Sequence, residues 1–205
     1  FWNTWGCHRD NLMVVVCGSA NSWILDNLIN DTGGLYGRTT YEIKLSPFTL
    51  KETEEFLQSK EIKMSRYDIA QCNMILGGIP YYLGYLTKNN SLAQNIDQLF
   101  FSQKPKLHNE FDRLFASVFK NPEVMKKIIK LLATRHSGFT RKEIISKLEF
   151  IDSGDISDFL NALIASDFIV RYTPFGKTTR DDHYRLIDPF CLFYLKYVSG
   201  KNVVD

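Results

Sequence analysis

The sequence predicts a mainly α-helical protein with a small β contribution, and three observations carry that expectation. From Leu50 to Phe119, stretches with apolar residues three and four apart are bounded by caps or by Gly, Pro and Asn breaks. Strand-like patterns are confined to two short runs before residue 46 and to a pair between residues 168 and 186. The 205-residue chain is 44% apolar and 14% aromatic, enough to bury a substantial core.

Leu12-Met13-Val14-Val15-Val16-Cys17 is a continuous apolar, β-branched run, the pattern of a strand covered on both faces in a parallel sheet. It ends at Gly18-Ser19, after which a helix is expected over Ala20 to Asn30, stopped by Gly33-Gly34. Thr40 to Leu45 alternates with period two and predicts a second strand, closed by Ser46-Pro47. Thr49 with Glu52 three residues later predicts a capping box that opens a helix from Leu50 to Ser59. Further helices are expected over Ser65–Leu76, Tyr81–Leu86, Leu92–Phe101 and His108–Phe119. Asn121-Pro122 is expected to cap and start another, running to Arg135. Two more follow, Arg141–Leu148 behind a Thr140 cap and Ile156–Ser166 behind Gly154-Asp155. Phe168–Tyr172 and His183–Leu186 read as paired strands, and three helices with a hairpin predict a winged helix-turn-helix. The tail from Pro189 to Val198 is expected to be an aromatic helix packed down by Phe190, Phe193, Tyr194 and Tyr197.

A formal charge of +2 is too small to imply a nucleic-acid or membrane partner by bulk electrostatics. Cys7, Cys17, Cys72 and Cys191 are scattered, which argues against a disulfide framework or a CxxC metal site and for reduced thiols. No apolar run approaches the roughly 20 residues that span a bilayer; a cytoplasmic location is expected. The chain opens on Phe1-Trp2-Asn3-Thr4-Trp5 without an initiator Met, so it is expected to be a piece of a longer protein.

Several strings, taken together, are specific: Val16-Cys17-Gly18-Ser19-Ala20, Gly34-Leu35-Tyr36-Gly37-Arg38, Leu45-Ser46-Pro47-Phe48, Gly77-Gly78-Ile79-Pro80-Tyr81-Tyr82-Leu83 and Tyr184-Arg185-Leu186-Ile187-Asp188-Pro189-Phe190. In order and spacing they resemble the archaeal-type predicted ATPases found in archaea and anaerobic gut bacteria, within the signal-transducing branch of AAA+-like P-loop ATPases. The resemblance covers essentially the whole chain. It implies the C-terminal end of an α/β P-loop ATPase core over residues 1–60, a helical lid over 61–120, and a winged helix with a C-terminal aromatic helix over 121–205. It further implies ATP and Mg²⁺ for the full-length protein, none for this fragment alone, and a nucleotide-dependent switch whose winged helix docks a protein partner.

The phosphate loop and the magnesium-holding acidic strand of such ATPases lie upstream of the match to Leu12–Cys17. Gly176-Lys177-Thr178 mimics the end of a phosphate loop, but Arg171 stands where its first glycine is required and a strand follows. The resemblance puts Ser19 at the sensor position, against the terminal phosphate or attacking water; on the residues alone it is equally a cap for the next helix. Arg38 takes the place of an arginine finger, or is an ordinary loop arginine. Gly77, Gly78 and Pro80 correspond to the turn against the nucleotide base, or form a plain helix-to-helix connection.

Nucleic acid is the alternative reading, because winged helices often bind DNA. The third helix of that domain, Ile156–Ser166, contains no Lys or Arg but carries Asp158, with Asp155 and Asp167 flanking it, which disfavours a polyanion. Any contact is therefore expected to be weak and sequence-indifferent, through Lys126, Lys130, Arg141, Lys177 and Arg180.

Overall fold

The computed structural model describes residues 4–15, 40–41, 43–151 and 154–200. The chain divides into two compact units, Phe1–Lys44 and Leu45–Asp205. In the first, a short 3-10 turn, Gly6–His8, is followed by a guanidinium–indole contact of Arg9 over Trp5 at 4.7 Å. The expected helix over Ala20–Asn30, together with Ser19 and Arg38, lies outside the described residues.

Of the strands expected at Leu12–Cys17 and Thr40–Leu45, Val16, Cys17 and Glu42 lie outside the described residues, and the remainder differ from expectation. Residues 12–15, 40–41 and 43–45 carry no strand, and Met13, Val15, Ile43 and Leu45 are exposed. An apolar or alternating run becomes a strand only when neighbouring backbone pairs with it, and no described residue does so here.

The second unit is helical. Leu50–Ser59 forms α1, Arg66–Leu76 forms α2, Pro80–Leu83 forms α3, Leu92–Phe100 forms α4, Glu110–Val118 forms α5 and Pro122–Leu132 forms α6. Phe139–Thr140 is β1, Arg141–Leu148 is α7, Gly154–Ala165 is α8, Ile169–Tyr172 is β2, His183–Leu186 is β3 and Pro189–Phe193 is α9. α9 runs on into a wider π-type turn, Tyr194–Val198.

Capping explains the sharp starts. α1, α2, α4 and α7 each open with a reciprocal capping box, Thr49 with Glu52, Ser65 with Asp68, Ser91 with Gln94 and Thr140 with Glu143. Each cap contributes about 1 kcal/mol. Hydrogen bonds from the Thr49 backbone and hydroxyl hold the Glu52 carboxyl below its usual range. Asn121 departs from expectation, since its side chain makes no cap bond; Pro122 alone starts α6.

Beyond the expected pair of strands, β1 adds a third. β3 lies between β1 and β2 and is antiparallel to both, with Phe139 opposite Tyr184 and Ile169 opposite Leu186. α6 packs on α7 and β3, and α8 packs on β2, so Ile128, Ile129, Leu160, Leu163, Ile169 and Leu186 share one core.

α9 returns to the earlier helices and packs on α2. Phe190 stacks on Tyr82 at 5.0 Å and Tyr194 on Phe111 at 5.2 Å, while the Tyr194 hydroxyl donates to the His108 carbonyl at 2.6 Å. Such aromatic pairs add roughly 0.5–1.5 kcal/mol each beyond area burial. Of the four aromatics expected to fasten this segment, Phe190 and Tyr194 are buried, Phe193 is half-buried, and Tyr197 remains 43% exposed.

Among the described residues, no helix is long and apolar enough to cross a membrane. Cys72 and Cys191 are free thiols. Burial pushes the Cys72 thiol up to about 12 and Cys191 well above its ordinary value, so both behave as inert core residues.

Candidate functional site

The turn between α2 and α3 is built by two consecutive left-handed glycines. Gly77 closes α2 at φ 69°, its N–H donating to the Asn73 carbonyl at 2.8 Å, and Gly78 follows at φ 68°. Such backbone conformations are easy only for glycine.

At Gly78 a second requirement is added. The Phe48 N–H donates to the Gly78 carbonyl at 2.8 Å, and a Cβ at Gly78 would stand 2.3 Å from the Phe48 oxygen. Asn73 locks the same approach: its Nδ2 donates to the Phe48 carbonyl and to the Thr53 hydroxyl, each at 3.3 Å. Thr53 is completely buried. The extended segment that leads into α1 is thus stitched to the turn.

On its other side the turn meets the C-terminal segment. A Cβ on Gly77 would reach Pro189 Cδ at 3.7 Å and the Phe190 nitrogen at 4.0 Å. Asp188 caps α9 by accepting from the Cys191 N–H at 2.7 Å, and burial pushes its carboxyl above its usual range. Tyr82, within the single turn of α3, donates to Glu110 Oε1 at 3.1 Å; burial, then the Glu110 charge, drives its phenol upward.

Gly77 and Gly78 are buried, whereas Pro80 and Tyr81 lie exposed at the start of α3. The close approach that Gly78 permits is therefore used by this chain's own Phe48 backbone, while Pro189 lies in ordinary contact beside Gly77. The outward face offered to a ligand is that of Pro80, Tyr81 and Tyr85, whose hydroxyl donates to that of Tyr81 at 2.6 Å. Lys106 Nζ lies over the Tyr85 ring at 4.7 Å from its centroid, so this face carries a cation beside its aromatic rings.

A separate cleft of about 640 Å³ lies between α2, the N-terminal half of α4 and the C-terminal segment, lined by Met64, Ile75, Ile96, Phe101, Phe193 and Tyr197 among others. None of Gly77, Gly78 and Pro80 lines it.

The basic residues singled out in the sequence are dispersed in their roles. Lys126 is engaged by Asp112 and Glu123, both at 2.7 Å, and these bonds raise its pKa. Arg141 Nε donates to the Ser157 hydroxyl at 3.2 Å. Lys130, Lys177 and Arg180 are exposed. Gly176-Lys177-Thr178 lies in the loop between β2 and β3, before a 3-10 turn at Thr179–Asp181, and is no phosphate loop. The sequence reading missed Asn73, Thr53 and Glu110; only the capping pattern around Thr49 hinted that this corner was tightly specified.

No family model matches the chain. An uncharacterized protein of Methanocaldococcus jannaschii is 28% identical over 195 residues, covering 90% of this chain and 40% of that protein. A solved structure, the Walker-type ATPase of Pyrococcus abyssi, superposes with a TM-score of 0.59 at 20% identity, covering 87% of this chain and 51% of that one. The chain has a fold like that of part of a Walker-type ATPase. It spans about half the length, or less, of the proteins it matches.

Proposed function

We propose that the chain is the C-terminal portion of an ATP-binding, AAA+-like ATPase of the archaeal type, acting as a nucleotide-dependent switch. The observation that supports this best is the Gly77–Pro80 turn, where the segment before α1, the α2–α3 junction and the Asp188–Phe190 segment meet within hydrogen-bond and van der Waals distance. A ligand that displaced any one of them would be felt by the other two, which is the local property a switch needs. The fold likeness to part of a Walker-type ATPase is consistent with it.

In this reading residues 1–60 close an ATPase core, 61–120 form its lid, and 121–205 form a winged helix whose acidic α8 face docks a protein partner. ATP and Mg²⁺ belong to the longer protein, whose upstream sequence supplies the amide cradle and lysine for the phosphates. Ser19 and Arg38 take the sensor and finger roles, and Pro80 with Tyr81 covers the base. Bound ATP would supply the phosphoryl group that is transferred to water. This chain's residues orient the nucleotide and offer a guanidinium to developing negative charge.

The test is Arg38→Ala in the longer protein. Because a finger acts on the transition state, turnover should fall by roughly 10³-fold or more while nucleotide affinity changes only a few-fold. Equal losses in both would contradict the assignment.

A further inference from the structure

The loop from Thr173 to Asp182 joins β2 to β3 and is anchored at its base. Asp182, only 9% exposed, accepts from the Thr173 hydroxyl at 2.6 Å and pairs with Arg171 at the end of β2. Those bonds, Thr173 first and Arg171 second, hold the Asp182 carboxyl below its usual range. Nearer the tip, the Lys177 N–H donates to the Pro174 carbonyl at 3.1 Å, closing a tight turn with Phe175 and Gly176 at its two corners. Thr178 and Asp181 then close a small box in which the Asp181 carboxylate accepts from the Thr178 N–H and hydroxyl, both at 3.3 Å.

Both loop carboxylates are thus engaged within the loop, yet the tip is not. Phe175 is 107% exposed, and Lys177 and Arg180 are exposed without an ion pair among the described residues. A phenyl ring left in water forgoes roughly 1.5–3 kcal/mol of burial. One exposed apolar side chain is ordinary. A ring on the corner of a clamped turn, with two exposed cations two and five residues away and outside any ion pair among the described residues, is a specific presentation.

We propose that this loop contacts nucleic acid, with Phe175 stacking on an unpaired or readily unstacked base while Lys177 and Arg180 neutralise neighbouring phosphates. The rest of the unit favours this place over the helix usually expected to enter a groove. α8 bears Asp155 and Asp158 and no cation, and Lys126 is already satisfied by two carboxylates. A lone ring suits a base, since every base offers a π-face to one aromatic side chain. It suits a bilayer poorly, because anchoring there requires far more apolar surface than one phenyl group supplies. Recognition by stacking and phosphate contact is indifferent to sequence. The proposal stands apart from the nucleotide reading and does not need it.

Fluorescence anisotropy of the 205-residue chain with a labelled 12-nucleotide oligothymidylate, at 50 and 200 mM salt, tests it. Phe175→Ala should weaken binding about tenfold, within the range for loss of one stacked base, while leaving the salt dependence unchanged. Lys177→Ala with Arg180→Ala should flatten the logarithmic salt slope by about 1.4, at about 0.7 per phosphate on a single strand. A strand with abasic sites should bind the native chain no better than the intact strand binds Phe175→Ala, and Asn161→Ala on α8 should change nothing. Equal binding by Phe175→Ala and the native chain would overturn the proposal, as would equal affinity for the abasic strand. It would equally be overturned if Phe175→Ala lost affinity only for vesicles containing phosphatidylserine, which would make the loop a membrane contact.

Discussion

Gly78 and Gly176 both occupy left-handed turns, at φ 68° and 73°, yet their surroundings are opposite. Around Gly78 the chain closes in, with the Phe48 oxygen where a Cβ would need to be; around Gly176 nothing lies within 4 Å. The same residue type thus serves two ends. One glycine lets a distant backbone segment close onto its turn, and the other lets a turn project its neighbours into solvent. Conformation alone does not tell them apart; what approaches them does.

Gly78→Ala should sharpen that contrast most. It combines left-handed strain with a backbone clash that no side-chain motion relieves, so a loss of roughly 3 kcal/mol or more is expected in urea melts. Gly176→Ala should cost about 1 kcal/mol, the left-handed penalty alone. Comparable losses at the two sites would break the comparison. Tyr82→Phe removes the bond to Glu110 and should cost about 1 kcal/mol or less, because the half-buried carboxylate can take water instead.

The smallest effect concerns Asp188. Its folded pKa lies above its unfolded value, so stability is greatest below the ordinary carboxylate range, near pH 4, and declines as pH rises through the raised folded value. Asp188→Asn keeps a cap acceptor and removes that charge. The variant should match the native chain in acid and gain on it as pH rises, read from thermal melts at several pH values. A native chain that gained relative to the variant with rising pH would mean that an unseen cation neutralises Asp188.

The helices were legible because their signals are local. Thr49 with Glu52 and Thr140 with Glu143 announce their helices within one turn, and the structure begins α1 and α7 where those boxes predict. Strands were not, since pairing is supplied from elsewhere in the chain. Leu12–Val15 and residues 43–45 have strand-like composition and no partner among the described residues, whereas Phe139-Thr140, two residues without a pattern, form β1 because Tyr184 and His183 pair with them. The site shows the same limit. The Gly77-Gly78 pair advertised a tight approach, but that Phe48 makes it at Gly78 depends on a contact across 30 residues of sequence. Lys126 looked like part of a basic face until Asp112, fourteen residues back, was found beside it.

The proposed switch places this chain in a nucleotide-driven protein whose phosphate-gripping groups lie in sequence outside these 205 residues. Titration calorimetry with Mg²⁺ and ATP, run in parallel on the 205-residue chain and on the longer protein, tests it most directly. The expected result is a saturable site in the longer protein and no submicromolar site in this chain. Tight binding to this chain alone, or none to the longer protein, would contradict it.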